Sequence, residues 1–208
     1  MIISNNKQGS QEWLDEKIGI LSGTRIKKII TPSKFELSSG FVDVIDLILD
    51  ENITGITADK EIFGAQLDRG NNLEPEARSE YIKQTGVNIN EHGLCLSDKH
   101  NLHGCSPDGF TDDFKGAIEI KCPGFVHLKY CRENKLPSEY RLQVINYFLV
   151  NEKLEWLDFV SYRPEFYPKP IGIIRVTREE LQADILKVQN AIDLFFDNYT
   201  KQLDNYLF

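Results

Sequence analysis

Apolar positions along the chain follow a helical rhythm near both ends and a strand rhythm in the middle. Ser10 stands before a short stretch in which Trp13 and Lys17, four apart, share a helix face. Gly19 interrupts it, and Ser22 is placed to cap a second short helix running to Ile30, closed by Thr31-Pro32. Apolar residues at 41, 44, 45, 48 and 49 form a helical stripe. Residues 65–85 predict a longer helix, with Leu67, Leu73, Ala77 and Tyr81 on one side and Gly86 as its stop. Glu74 flanks that stripe and so can face inward, while Pro75 either lies within the helix or opens a second one. From Val87 the pattern changes: a strand with a turn is expected over 87–96 and further strands over 103–110 and 117–122, with a turn over 111–116. Residues 141–150 return to the helical period, and 156–162 and 171–176 are expected to pair as strands. Thr177 with Glu180 makes a capping box for a terminal helix carrying Leu181, Ile185, Val188, Ile192, Phe195 and Tyr199. The sum is an α/β fold, helices flanking a small mixed sheet.

Composition narrows this picture without redirecting it. A chain of 208 residues, 41% of them apolar, suits one globular domain over 1–208. No apolar run reaches the ~20 residues of a membrane span, and the polar first ten residues do not read as a signal peptide. The expectation is a cytoplasmic protein with no membrane partner. Cys95, Cys105, Cys122 and Cys131 contain no CxxC pair, which suits reduced thiols. The net charge of −8 is not that of a generic nucleic-acid binder. Its distribution is uneven: residues 1–34 hold six Lys/Arg against three acids. Arg25, Lys27 and Lys28 therefore form either a solvated helix face or the lining of a DNA channel.

The candidate chemistry lies in Ser106-Pro107-Asp108-Gly109 and, ten residues on, Glu119-Ile120-Lys121. Strand alternation puts Glu119 and Lys121 on one face and Ile120 on the other. A turn at 111–116 folds Asp108 back beside them. Two carboxylates and the Ile120 carbonyl then offer hard oxygen ligands to Mg²⁺, or to Mn²⁺ in its place, with Lys121 at the edge. The plainer reading is a hairpin with a surface Glu/Lys pair. Against it, Ala117, Ile118, Ile120 and Cys122 mark a buried strand, where an unpaired glutamate is costly. Glu74 alone also fits an i,i+4 pair with Arg78, and Gln143 fits a core amide satisfying backbone groups. Cys95, His100, His103 and Cys105 are all zinc-ligand types, but their spacing matches no zinc module.

Pro107-Asp108 with Glu119-x-Lys121 is the PD-(D/E)xK nuclease signature, and the wider chain resembles the lambda exonuclease family, the YqaJ-like viral recombinases. Four blocks carry the resemblance in order: WLDEKIGILSGT from Trp13, RGNNLEPEARSEYIKQTGVNI from Arg69, GCSPDGF with IEIKCP between Gly104 and Pro123, and YRLQVINY from Tyr140. The resemblance implies a restriction-endonuclease-like core, metal held by Asp108, Glu119 and Glu74, and Lys121 as the catalytic lysine. It assigns Lys17, Thr24, Ser106 and Gln143 to a pocket for a terminal 5′-phosphate. Tyr140 opens the same helix block, and Gln143 with Tyr147 matches a QxxxY element. Lys17 replaces the family's usual arginine, keeping the charge but losing the bidentate fork. The resemblance further implies a homotrimeric ring admitting double-stranded DNA ends, 5′-to-3′ digestion that leaves 3′ single strands, and a single-strand annealing protein as partner in phage-type recombination. The rival expectations are an endonuclease of restriction or repair type, and a non-catalytic DNA-end-binding scaffold.

Overall fold

A computed structural model describes residues 1–58 and 65–207, apart from the side chains of 65–68, 71 and 207. In chain order the elements are β1 (Ile2–Ile3), α1 (Gln11–Glu16), α2 (Gly23–Ile29), α3 (Phe41–Thr54), α4 (Ala65–Thr85), β2 (Cys95–Leu96), β3 (Gly104–Cys105), β4 (Gly109–Phe110), β5 (Gly116–Lys121), α5 (His127–Glu133), α6 (Ser138–Val150), β6 (Trp156–Tyr162), β7 (Ile171–Thr177) and α7 (Arg178–Leu207). Strands β4-β5-β6-β7 form a mixed sheet in that order, with β5 and β6 parallel and the other pairs antiparallel. A small antiparallel sheet, β1-β2-β3, stands beside it. Among the described residues, no helix is long and apolar enough to cross a membrane.

Alternation along the strands sorts the core into two layers. Ala117, Leu157, Phe159, Ile174 and Val176 pack with α6 and α7, whereas Ile118, Ile120, Val160, Tyr162 and Ile171 pack with Ala77 and Tyr81 of α4. The two-residue period thus turns Glu119 and Lys121 toward α6 while Ile120 anchors the strand on the α4 side. Helix α4 runs without a break through Pro75, so the alternative of a second helix beginning there is not realised. Leu67 lies outside the described side chains. The capping box forms as expected: Thr177 N donates to Glu180 Oε2 at 2.8 Å and Glu180 N to Thr177 Oγ1 at 3.2 Å.

Two strand expectations need correction. Over 87–96 only Cys95–Leu96 is strand, apart from an isolated bridge between Asn90 and Phe110. Residues 103–110 divide into β3 and β4, which belong to different sheets. Pro107, which has no N–H to give a ladder, sits at the break between them.

Candidate active site

The β4–β5 hairpin sets the geometry. Its register pairs Gly109 with Ile118 and Phe110 with Ala117, which carries Asp108 opposite Glu119. The turn closes on itself: Gly116 N donates to Thr111 Oγ1 at 2.9 Å, and Thr111 N to the Gly116 carbonyl at 2.9 Å. Gly109 is required here, because a Cβ would lie 2.2 Å from the Ile89 side chain and 3.1 Å from the Asn90 carbonyl. Asp108 Oδ2 accepts from the Ile120 N–H at 2.5 Å. Two carboxylates and the Ile120 backbone therefore meet at the open edge of the sheet.

Glu119 is 1% exposed, and its anion is matched by donors from α6 and its own strand. Gln143 Nε2 donates to Oε1 at 2.8 Å, the Tyr147 hydroxyl donates to Oε2, and Lys121 Nζ pairs with Oε1. Gln143 and Tyr147 sit one helical turn apart, and Gln143 Nε2 also reaches the Tyr147 hydroxyl at 2.8 Å. Burial opposes the charge on Lys121, but Glu119 and Asp108 outweigh it and hold the ammonium above the usual lysine range. It is thus a donor and counter-charge, not a free base, at neutral pH. Burial, then Glu119 and Glu74, push Asp108 well above the ordinary carboxylate range, against the pull of Lys121 and the Ile120 amide. Glu74 is raised as well, by burial first, with Arg78 and Lys121 opposing and Glu119 adding to the shift.

Arg78 ties the helix glutamate to the hairpin. It bonds Glu74 Oε1 at 2.7 Å, donates from Nε to the Asp108 carbonyl at 3.1 Å, and pairs with Glu91. The sequence offered only the i,i+4 part of this arrangement; the partners 13 and 30 residues away leave no local signal. The role of Tyr147 as a clamp on Glu119 is likewise a long-range contact, although its QxxxY spacing flagged the residue.

The residues expected to hold a phosphate fall into two groups. Trp13 Nε1 donates to Ser106 Oγ at 3.3 Å, and Lys17 Nζ lies 4.0 Å from the centre of the Trp13 ring. On the other side, Thr24 is exposed with its hydroxyl 3.2 Å from that of Ser22, and Gly23 abuts Gln143, where an added Cβ would lie 3.4 Å from its Cγ. The two groups are joined by backbone: Leu21 N donates to Leu102 O at 2.7 Å and Gly104 N to Leu21 O at 3.1 Å. Tyr140 lies between two cations, Lys27 and Lys121, each 5.5 Å from its ring centre. Burial, followed by repulsion from Lys121, lowers the Lys27 pKa, so Lys27 borders the site.

Arg25, expected with the DNA-facing residues, is corrected. It is 3% exposed and turned inward, meeting the fully buried Glu51 in a bidentate pair at 2.7 Å for both bonds and donating to the Ile20 carbonyl at 3.2 Å. Its guanidinium pins α2 to α3, so that of the three basic residues on that helix Lys27 and Lys28 are the exposed ones. The four zinc-type residues also have other partners. His103, pushed down to about 4 by burial, meets Asn146 Oδ1 at 2.5 Å, and His100 meets Asp193 at 2.7 Å. Cys95 and Cys105 face each other across β2–β3 as buried free thiols.

Among the described residues, no three His, Cys, Asp or Glu side chains enclose a metal position. The donors at the hairpin fit a different kind of site. Asp108, Glu119 and the Ile120 carbonyl supply few protein ligands, all oxygen, which suits a cation that keeps much of its water, as Mg²⁺ does. Burial and the nearby Glu119 and Glu74 together disfavour the Asp108 anion, and a bound dication would offset both.

A family model described as the YqaJ-like viral recombinase domain matches residues 12–153. No curated protein matches the chain. Among solved structures, an alkaline exonuclease from Laribacter hongkongensis is 26% identical with a TM-score of 0.79, covering 95% of this chain and 96% of that one. Its complex with dAMP is 27% identical with the same TM-score and coverage. A phage-related exonuclease from Haemophilus somnus, 16% identical with a TM-score of 0.55 over 88% of this chain and 96% of that one, shares the fold alone.

Proposed function

The chain belongs to the YqaJ-like viral recombinase family, and from that premise we propose that it is a metal-dependent deoxyribonuclease acting from the ends of linear duplex DNA in phage-type recombination. We infer 5′-to-3′ digestion that leaves 3′ single strands for an annealing protein, by a single nuclease domain working as a homotrimeric ring in the cytoplasm. The observation that carries the reading is the meeting of Asp108 and Glu119 across the β4–β5 hairpin, with Lys121 paired on the same face.

Asp108, Glu119 and the Ile120 carbonyl would hold Mg²⁺, with Glu74 as a further carboxylate, and the ion would supply Lewis-acid polarisation of the phosphate and a more acidic water. The residues around it have separate tasks. Gln143 and Tyr147 fix both oxygens of Glu119, so its orientation is set before substrate arrives. The Lys121 ammonium donates to a non-bridging phosphate oxygen as charge builds there. Water attacks phosphorus in line, the 3′-oxygen of the terminal nucleotide leaves, and the shortened strand keeps a new 5′-phosphate. Lys17, Ser106 and Thr24 line the place where that terminal phosphate sets the register of cutting. A lysine at 17 holds it as a point charge, without arginine's directional fork.

The test is digestion of a duplex labelled at one 5′ end, with and without a 5′-phosphate, beside covalently closed circles. Progressive Mg²⁺-dependent loss of linear DNA from the 5′ end, circles intact, is expected. Lys121→Ala should lower the rate roughly 10²- to 10⁴-fold without unfolding the chain. Cut circles would replace this reading with an endonuclease, and an undiminished Lys121→Ala variant with a binding scaffold.

A further inference from the structure

Because β5 and β6 run parallel, the segments leaving their carboxyl ends, 122–126 and 163–170, lie side by side next to Lys121, the last residue of β5. They are tied together. Arg163 Nη1 donates to the Gly124 carbonyl at 3.1 Å, and the buried His127 bridges Ser161 Oγ and the Lys169 carbonyl at 2.8 Å each. Arg69 adds a third link, from Nε to the Cys122 carbonyl at 3.2 Å and through both terminal nitrogens to Glu165 at 2.8 Å. On this fixed lip Phe125 and Tyr167 are each 91% exposed, and the Arg163 guanidinium lies 5.3 Å from the Phe125 ring centre.

Single exposed apolar residues are common and need no explanation. Here two aromatic rings stand on neighbouring, well-anchored loops, Phe125 four residues beyond the candidate catalytic lysine and Tyr167 five residues beyond the end of β6. The charge around them departs from the rest of the chain. Residues 122–135 and 163–170 hold five Lys/Arg against two acids in a chain of net charge −8. One of those acids, Glu165, is shared by Arg69 at 2.8 Å and Arg163 at 3.8 Å. Exposed rings among cations are what unpaired nucleotides require: the rings stack on base faces and the cations follow the phosphates. A duplex hides its base faces, so the preference is for single strands. The backbone ties hold the rings in place and reduce the ordering that binding demands.

We propose that the Phe125/Tyr167 lip is a stacking platform for unpaired DNA at the mouth of the site. This rests on the nuclease reading for its purpose, to hold a frayed strand beside the carboxylates, but not for its binding. The experiment is a fluorescence anisotropy titration of labelled oligo-dT in EDTA at low salt, with the full chain and its Phe125→Ala, Tyr167→Ala and doubly substituted forms. Each lost ring should weaken binding roughly 5- to 100-fold, while Phe125→Tyr and Tyr167→Phe retain it. Tyr167→Trp should show its added indole emission quenched by the oligonucleotide. Unchanged oligo-dT affinity in the double variant overturns the proposal. So does a changed mass by light scattering with DNA binding intact, which would make the lip a contact between copies. If wild type digests duplex but the double variant binds oligo-dT normally, the platform fails and the nuclease stands. If the variants lose oligo-dT but wild type cuts nothing with Mg²⁺, the reverse holds.

Discussion

Replacing Arg25 with Met separates two meanings of a basic residue on α2. The Arg25–Glu51 pair is fully desolvated, with the two side chains 3% and 0% exposed. Glu51 also accepts from Gly19 N at 2.7 Å and Ala58 N at 2.8 Å. Removing one partner of a buried pair costs about 3–5 kcal/mol, because the remaining charge is stranded. The two backbone amides still serve Glu51 in the variant, so the lower part of that range is expected. For a chain of this length each kcal/mol moves Tm by ~2–4 °C, giving a fall of roughly 6–12 °C by calorimetry. The pH dependence has a definite sign. Burial disfavours the Glu51 charge, but its bonds to Arg25, Ala58 and Gly19 outweigh that and hold its pKa below the ordinary value. A depressed folded pKa means that the stabilisation is complete above the unfolded value of ~4.3 and is lost as pH falls through the folded one. The gap in Tm between wild type and variant should therefore narrow on acidification below about pH 4. DNA binding gives the opposing test. If Arg25 contacted a phosphate, the slope of log K against log salt would change by ~0.9. A variant with wild-type Tm and a reduced salt slope would refute the structural assignment.

Two further outcomes follow from the carboxylate cluster. Asp108→Asn replaces a carboxyl whose ionisation is opposed by burial first and then by Glu119 and Glu74, so its Tm in EDTA should equal or exceed that of wild type. Wild type should gain about 2.7 kcal/mol at Mg²⁺ a hundredfold above Kd, a gain the variant should lack in thermal melts with and without the ion. Tyr147→Phe keeps the ring packing but withdraws a hydroxyl from the buried Glu119, a bond to a charged group worth about 1.5–3 kcal/mol. The half-saturating Mg²⁺ concentration for nuclease activity should rise, and an unchanged value would show that the hydroxyl does not position Glu119.

The sequence alone was enough for what depends on near neighbours. The bounds of α4, the Thr177–Glu180 box and the strands β6 and β7 follow from periodicity and capping over a few residues. So does the meeting of Asp108 with Glu119: they lie eleven residues apart across one turn, and strand alternation then places Lys121 on the face of Glu119. The tertiary structure alone decided what depends on distant partners. Arg25 has the charge of a surface residue, yet it lies on the buried side of α2 with Ile26 and Ile29, because Glu51 on another helix receives it. Arg78 reaches the Asp108 carbonyl, and Tyr147 reaches Glu119, across 30 and 28 residues. Residues 103–110 read as one strand but serve two sheets. Local pattern records which side of an element is apolar; which polar group answers a buried charge is settled only when the elements pack, since satisfying that charge is what makes its burial affordable.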